Sequence, residues 1–166
     1  MRLTFKEAQR IANIVSDYRG RENEERALKI AKGPLKNLFK KRITYLVDPC
    51  VRDNQGRKQK GRDLEFTIFW PRIVKRIFPE KKIYIEIKSS RRGAREHYDK
   101  GKAQSIYRTG VVIVNSGRRD ERIALSMFNL IKNETRKLLR DEIEKKRFFK
   151  RLPQKLLDKF IKWLAS

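Results

Sequence analysis

Sulfur and imidazole side chains are almost absent from this sequence of 166 residues. It contains one cysteine, Cys50, and one histidine, His97. A single cysteine excludes an intramolecular disulfide framework, and so few soft donors exclude a structural zinc site. The position of His97 in a helical pattern is more typical of a surface residue than of a catalytic base.

Long apolar runs are absent as well. No run approaches the roughly 20 residues that cross a bilayer, and the N-terminus has no apolar stretch typical of a signal peptide. Apolar residues nevertheless make up 39% of the chain and aromatic residues 10%, which is enough for a buried core. The composition therefore predicts a single folded domain over residues 1–166, intracellular and cytoplasmic, with no membrane partner.

Acidic residues are the minority among the charged ones. The chain has 20 Asp and Glu against 44 Lys and Arg, a formal net charge of +24. Such an excess favours a polyanionic partner, and nucleic acid is the commonest. The basic residues are spread along the whole chain, which argues against a membrane-surface helix. No helix-turn-helix or zinc-finger pattern is present, so base-specific recognition has no support.

Helical and strand periodicities alternate along the chain and predict an α/β fold, a sheet with helices packed on it. A first helix begins at a capping-box pattern, Thr4 to Glu7, and is expected to stop at Gly20. The order of elements is α-α-β-β-β-α-β-α-α. The predicted strands cover residues 43–47, 63–69, 83–88 and 110–114, and the later helices cover 95–107, 119–146 and the segment after Pro153.

Two alternating segments carry carboxylates that would meet if their strands pair. Asp63 begins one segment, and Glu86 and Lys88 share one face of the other. Two carboxylates at one point repel each other, and a divalent cation such as Mg²⁺ or Mn²⁺ relieves that repulsion. A lysine beside them can orient a water and stabilise charge on a phosphate. The alternative is a solvated polar face of the sheet.

Three further acids compete for the same role. Glu65 lies on the face of Asp63 two residues further on, and is a rival ligand. Asp48 and Asp53 are weaker rivals, because their neighbours Pro49 and Asn54 are typical of turns.

These residues resemble the core of the PD-(D/E)XK nuclease superfamily. The resemblance covers about residues 20–116 and rests on Asp63, on the tripeptide Glu86-Ile87-Lys88, and on a helix with Gln104 before the apolar strand. It implies a restriction-endonuclease-like αβββαβ core with a central mixed β-sheet, to which residues 119–166 add C-terminal helices. It also implies metal binding by the carboxylates of Asp63 and Glu86 and the main-chain carbonyl of Ile87, with Lys88 acting on a water. Gly61-Arg62 precedes Asp63 where the family pattern has a proline.

The segment from Gly20 to Leu28 is similar to the G-x-x-x-E-R-E-L start of archaeal Holliday-junction resolvases, and the whole pattern is closest to archaeal and viral resolvase-like endonucleases. Glu25 fits the additional catalytic glutamate best, and Glu24 lies one residue away. The alternative is that these acids complement the dipole of a helix N-terminus. Gln104 resembles the glutamine that follows the lysine strand in such enzymes.

Basic residues flank both halves of the proposed site and are expected to hold a nucleic-acid backbone without sequence specificity. The expected function is that of a Mg²⁺-dependent DNA endonuclease, structure-selective for branched DNA. Other nucleases of the superfamily and a non-catalytic nucleic-acid-binding protein are the alternatives. A homodimer is implied by the resemblance; the apolar face of the C-terminal helix either forms its interface or caps the core. The basic candidates are Arg57, Lys58, Lys60, Arg62, Arg91, Arg92, Arg95, Lys100 and Lys102.

Overall fold

The computed structural model describes residues 4–39, 43–49, 62–104 and 110–165, apart from the side chains at positions 97, 98 and 100–104. Within these ranges the chain has the α/β arrangement that the sequence predicts. The helices are α1 (Phe5–Lys32), α2 (Pro34–Leu38), α3 (Arg72–Lys75), α4 (Arg91–Gln104), α5 (Asp120–Lys145) and α6 (Gln154–Leu164). The strands are β1 (Thr44–Pro49), β2 (Leu64–Phe69), β3 (Lys81–Lys88) and β4 (Gly110–Ile113). A 3-10 turn, Phe149–Arg151, lies between α5 and α6.

The described strands form one mixed sheet in the order β1-β2-β3-β4. The first two pairs are antiparallel and the pair β3–β4 is parallel. A parallel pair needs a crossover connection, and α4 supplies it. This arrangement of a mixed sheet flanked by helices puts β2 and β3 side by side at the centre of the sheet.

Alternation along the strands gives the sheet one apolar and one polar face. Phe66 pairs with Ile83 on the apolar face, and both are buried. On the other face Asp63, Glu65 and Thr67 are buried polar residues. The predicted assignment of alternate residues to opposite faces is therefore confirmed.

Helix α5 lies against the apolar face. The hydroxyls of Tyr45 and Thr135 are 3.0 Å apart, and burial raises the pKa of Tyr45 to about 12. Further along α5, Glu142 Oε1 forms an ion pair of 2.8 Å with Lys81 Nζ on β3. Helices α1 and α2 pack beside α5. The main hydrophobic core lies between this helical layer and the sheet.

Helix α1 is longer than the sequence predicts. Its capping box is present as expected, with Thr4 N–H donating to Glu7 Oε2 at 2.8 Å. The predicted stop at Gly20 is wrong, because one helix of 28 residues continues through it to Lys32. A glycine inside a helix costs only about 1 kcal/mol relative to alanine. Burial of Ala27 and its neighbours against the core outweighs that cost.

Helix α6 closes one end of the core through aromatic packing. Phe149 stacks on Phe78 at 6.1 Å and on Phe160 at 6.3 Å between ring centroids. Leu157 and Leu164 of α6 are buried in the same cluster. The apolar face of α6 thus caps the core, which is one of the two roles that its sequence allowed. None of the described helices is both long and apolar enough to span a membrane.

Candidate active site

The start of β2 and the end of β3 bring the predicted acidic pair together. Leu64 pairs with Ile85, and Asp63 N–H donates to the Ile85 carbonyl at 2.8 Å. This register carries Asp63 to the end of β3, opposite Glu86. The side chains of Asp63 and Glu86 lie on the polar face, close enough for the negative charge of Asp63 to raise the pKa of Glu86.

The backbone of β3 supplies a third oxygen-bearing group, the Ile87 carbonyl, beside the carboxyl groups of Asp63 and Glu86. Asp63 Oδ2 accepts a hydrogen bond of 2.6 Å from Ile87 N–H. Val114 N–H donates to the Lys88 carbonyl at 2.8 Å, so that carbonyl faces the β4 side. Because peptide groups alternate direction along a strand, the Ile87 carbonyl faces the opposite side, where Asp63 lies. The Ile87 side chain itself is buried in the core.

The two carboxyl groups are buried, each with 7% of its residue surface exposed. Burial is the main cause that raises the pKa of Glu86 to about 7, and the negative charge of Asp63 adds to it. The hydrogen bond and positive charge of Lys88 act in the opposite direction. With a pKa of about 7, Glu86 keeps its proton over part of the neutral pH range, and that proton relieves the repulsion between the two carboxyl groups. A divalent cation could replace that proton.

Lys88 is directed at the same pair. Its Nζ lies 2.6 Å from Glu86 Oε1, with 32% of the side chain exposed. The aliphatic part of the Lys88 side chain runs past the first turn of α4. There, a Cβ atom added at Gly93 would lie 3.9 Å from Lys88 Cδ. The ammonium group therefore contacts the buried carboxylate and solvent at once. Such a group can act on a water or a phosphate oxygen at the mouth of the site.

The rival acid Glu65 belongs to a separate ion pair. Its Oε1 lies 2.6 Å from Lys82 Nζ, and the carboxylate is buried. In the β1–β2 ladder Asp48 lies opposite Glu65, which puts it on the same face and half-buried. Lys82 thus neutralises the charge of Glu65. Glu86 instead lies beside Asp63 and forms its ion pair with Lys88.

The donor set favours a hard divalent cation. Among the residues that the structure describes, no three or more His, Cys, Asp or Glu side chains form a metal-binding group. Asp63, Glu86 and the Ile87 carbonyl supply only oxygen. Mg²⁺ is typically held by one or two carboxylates, with waters and substrate phosphates completing its octahedron. These residues fit Mg²⁺ or Mn²⁺ and do not fit zinc.

The candidate glutamates of α1 differ in their placement. Glu25 is exposed, whereas Glu24 is half-buried. Glu24 shares the inward-facing stripe of α1 with Ala27 and Ala31, which are buried three and seven residues further on. The placement therefore favours Glu24 over Glu25 as the acid that faces the domain.

Basic candidates lie beside the acidic pair where the structure describes them. The Arg62 guanidinium is 4.1 Å from the ring centroid of Tyr84, on the polar face. Arg91, Arg92 and Arg95 are exposed on the first turns of α4, which follows Lys88 directly. Outside the described residues or side chains lie Cys50, Asp53, Arg57, Lys58, Lys60, His97, Lys100, Lys102 and Gln104.

Two contacts in the structure could not be predicted from the sequence. One is the contact between the Arg62 guanidinium and the ring of Tyr84, which lies on the polar face. Arg26 donates from Nε to Asp120 Oδ1 at 2.9 Å and from its terminal nitrogens to the carbonyls of Asn115 and Arg118. This arginine joins α1 to the segment after β4. A separation of more than 88 residues between partners left no local signal for it.

Comparison with known proteins adds no assignment. No protein-family model, no curated protein and no solved structure matches this chain.

Proposed function

We propose that this chain is a Mg²⁺-dependent DNA endonuclease with a PD-(D/E)XK-type site at Asp63, Glu86 and Lys88. The observation that carries the proposal is the buried pair of carboxyl groups with a lysine at its mouth. A chain of net charge +24 has many cations with which to neutralise single acids. Glu65 and Glu142 are neutralised in this way, whereas Asp63 and Glu86 lie against each other, with Lys88 Nζ 2.6 Å from Glu86 Oε1.

The chemistry follows from where the groups lie. Asp63, Glu86 and the Ile87 carbonyl would hold the cation. When bound, Mg²⁺ supplies charge neutralisation at the phosphate and lowers the pKa of a neighbouring water. Lys88 Nζ, at the solvent side of Glu86, orients the attacking water and stabilises negative charge on the phosphate. Hydrolysis joins the water oxygen to phosphorus and breaks one ester bond, leaving a phosphate end and a hydroxyl end.

The charge around the site supports DNA as the substrate. Arg62 lies over Tyr84 beside the acidic pair, and Arg91, Arg92 and Arg95 are exposed on α4. Arginines of this kind hold phosphates with little dependence on sequence. Branched DNA such as a Holliday junction is the proposed preferred substrate, from the resolvase-like segment of α1 and the lack of a base-recognition motif in the sequence.

Cleavage assays with matched variants test the proposal. We expect the wild type to cut supercoiled plasmid and a synthetic four-way junction in Mg²⁺. Asp63→Asn and Lys88→Met should each lower the rate by about 100-fold or more, while junction binding in Ca²⁺ stays nearly unchanged. Glu142→Gln is the control, because Glu142 is also a buried, ion-paired carboxylate but lies on the opposite face of the sheet.

The alternative, a non-catalytic nucleic-acid-binding protein, makes the opposite prediction. The wild type would then bind DNA and cut no DNA or RNA in Mg²⁺ or Mn²⁺. Equal loss of activity in Glu142→Gln and in the two site variants would also contradict the proposal, since it would indicate a general loss of folding.

A further inference from the structure

The first half of α1 stands away from the rest of the domain. Every residue from Thr4 to Arg19 is exposed, although several are large and apolar. Phe5 is 82% exposed, Ile14 67% and Tyr18 63%. At a rise of 1.5 Å per residue, the helix from Phe5 to Gly20 is about 24 Å long. Its side chains are exposed to solvent on all sides.

The exposed apolar residues form a stripe of their own. Ala8, Ile11, Val15 and Tyr18 are spaced by three, four and three residues, which is the spacing of the a and d positions of a coiled coil. The stripe does not continue the buried face of α1. Ile11 and Ala27 are turned by about 160° from each other around the helix axis, so the core contacts of the second half leave this stripe uncovered.

We propose that this stripe is a self-association surface, on which a second copy of the chain packs its own α1 in antiparallel orientation. In an antiparallel pair, a positions face d positions. Ile11 of one copy then meets Val15 of the second copy, and the small Ala8 meets the large Tyr18. A two-fold axis near Ile14 relates the two helices and brings the two Ile14 side chains together.

Charge complementarity selects the antiparallel orientation. The same alignment places Glu7 on one copy beside Arg21 on the second copy, and the two-fold axis repeats that pair. In a parallel pair, Glu7 would instead face Ala12, and Arg19 would face Ile14, so neither charge would find an opposite one. Phe5 faces Arg19 in the antiparallel pair, a contact of the cation–π kind.

The proposed surface is small, so we expect the affinity between two copies of the chain to be low. Two heptads of helix from each copy lie at the low end of stable protein interfaces, and a chain of charge +24 repels its own copies. We therefore expect a weak, concentration-dependent dimer. This proposal does not depend on the proposed nuclease activity, because it concerns a surface remote in sequence from Asp63 and Glu86.

Sedimentation equilibrium of the full chain tests the proposal. The wild type should form dimers whose fraction rises with concentration. Ile11→Asp should lower the association constant by about 100-fold or more, since the change is made in both copies. Asn13→Asp, with the same new charge on the opposite face of the helix, should leave it unchanged. Circular dichroism checks that both variants are folded.

Charge reversal tests the pairing itself. Arg21→Glu should weaken association, and Glu7→Arg added to it should restore part of the loss. Glu7→Arg alone is measured beside them, because that change also removes the capping box with Thr4. Lys6→Glu carries the same change of charge on the outer face and should have no such effect. A wild type that stays monomeric at all concentrations, or an Arg21→Glu variant that associates as the wild type does, would overturn the proposal. The stripe would then belong to a different partner.

Disulfide trapping fixes the orientation. In a Cys50→Ser background, a mixture of Ala8→Cys and Tyr18→Cys chains should oxidise to a mixed dimer. Efficient oxidation of Ala8→Cys chains alone would indicate a parallel pair and contradict the antiparallel one.

Discussion

Replacing Glu86 with glutamine should change how the stability of the domain depends on pH. In the folded protein the pKa of Glu86 is raised from 4.5 to about 7, mainly by burial and next by Asp63. The folded carboxyl group therefore keeps its proton between these two values, while the unfolded chain loses it. Wild-type stability must fall as the pH rises through this window, because the folded state binds more protons than the unfolded state.

The size of the effect follows from the shift. One pKa unit corresponds to 1.36 kcal/mol, so a rise from 4.5 to about 7 corresponds to about 3 kcal/mol. Solvent reaches part of the ion pair with Lys88, which is 32% exposed, so about 2 to 3 kcal/mol is expected. Glutamine has nearly the same shape and stays neutral. Glu86→Gln should match the wild type near pH 5 and exceed its stability by this amount near pH 8.

Urea denaturation between pH 5 and pH 8, in the absence of divalent cations, measures this difference. Glu142→Gln is the control. Lysine hydrogen bonds lower the pKa of Glu142, so its contribution to stability is lost only as the pH falls below the usual carboxyl range. That variant should be destabilised by a constant amount across the window. Parallel stability curves for the wild type and Glu86→Gln from pH 5 to pH 8 would refute the reasoning.

Three further predictions concern neighbouring residues. Glu24→Gln should change the free energy of unfolding more than Glu25→Gln does, because only Glu24 lies on the inward stripe of α1; equal changes in urea denaturation would contradict this placement. Arg62→Ala should weaken DNA binding and reduce the salt slope of log K by about 1, as a binding titration over several salt concentrations would show; an unchanged slope would remove Arg62 from the phosphate contacts. Arg26→Met should lower the free energy of unfolding by about 2 kcal/mol, since it leaves the part-buried carbonyls of Asn115 and Arg118 without their donor. The exposed Arg122→Met is its control in urea denaturation, with an expected cost under about 0.5 kcal/mol.

Local pattern was enough to predict the strands that form the candidate site. Alternation predicts that Leu64, Phe66 and Ile68 share one face of β2, and all three are buried there. The same rule predicts that Glu86 and Lys88 lie together on β3, where they form an ion pair. These assignments succeed because a sheet with one buried face fixes its register through side-chain period. The proximity of Asp63 to Glu86 followed once the two strands were taken as neighbours.

Features that depend on distant contacts could not be predicted. Glycine is a residue typical of helix ends, yet α1 continues through Gly20. The second half of the helix is held by burial of Ala27 and its neighbours in the core, which the local sequence does not show. The apolar face of α6 suited either an interface or a core cap, and only its contact with Phe149 decides between them. The choice between Glu24 and Glu25 likewise depends on the direction in which α1 faces the sheet.

Mn²⁺ binding to the free protein tests the central claim most directly, because Mn²⁺ takes the place of Mg²⁺ and is detected by electron paramagnetic resonance. At pH 8 the wild type should bind the ion saturably, and Asp63→Asn and Glu86→Gln should both lose this binding. Glu65→Gln, a neighbouring carboxylate on the same face that is paired with Lys82, should retain it. Binding that is absent from the wild type, or equal in the wild type and in Glu86→Gln, would contradict a cation site at the buried carboxyl pair.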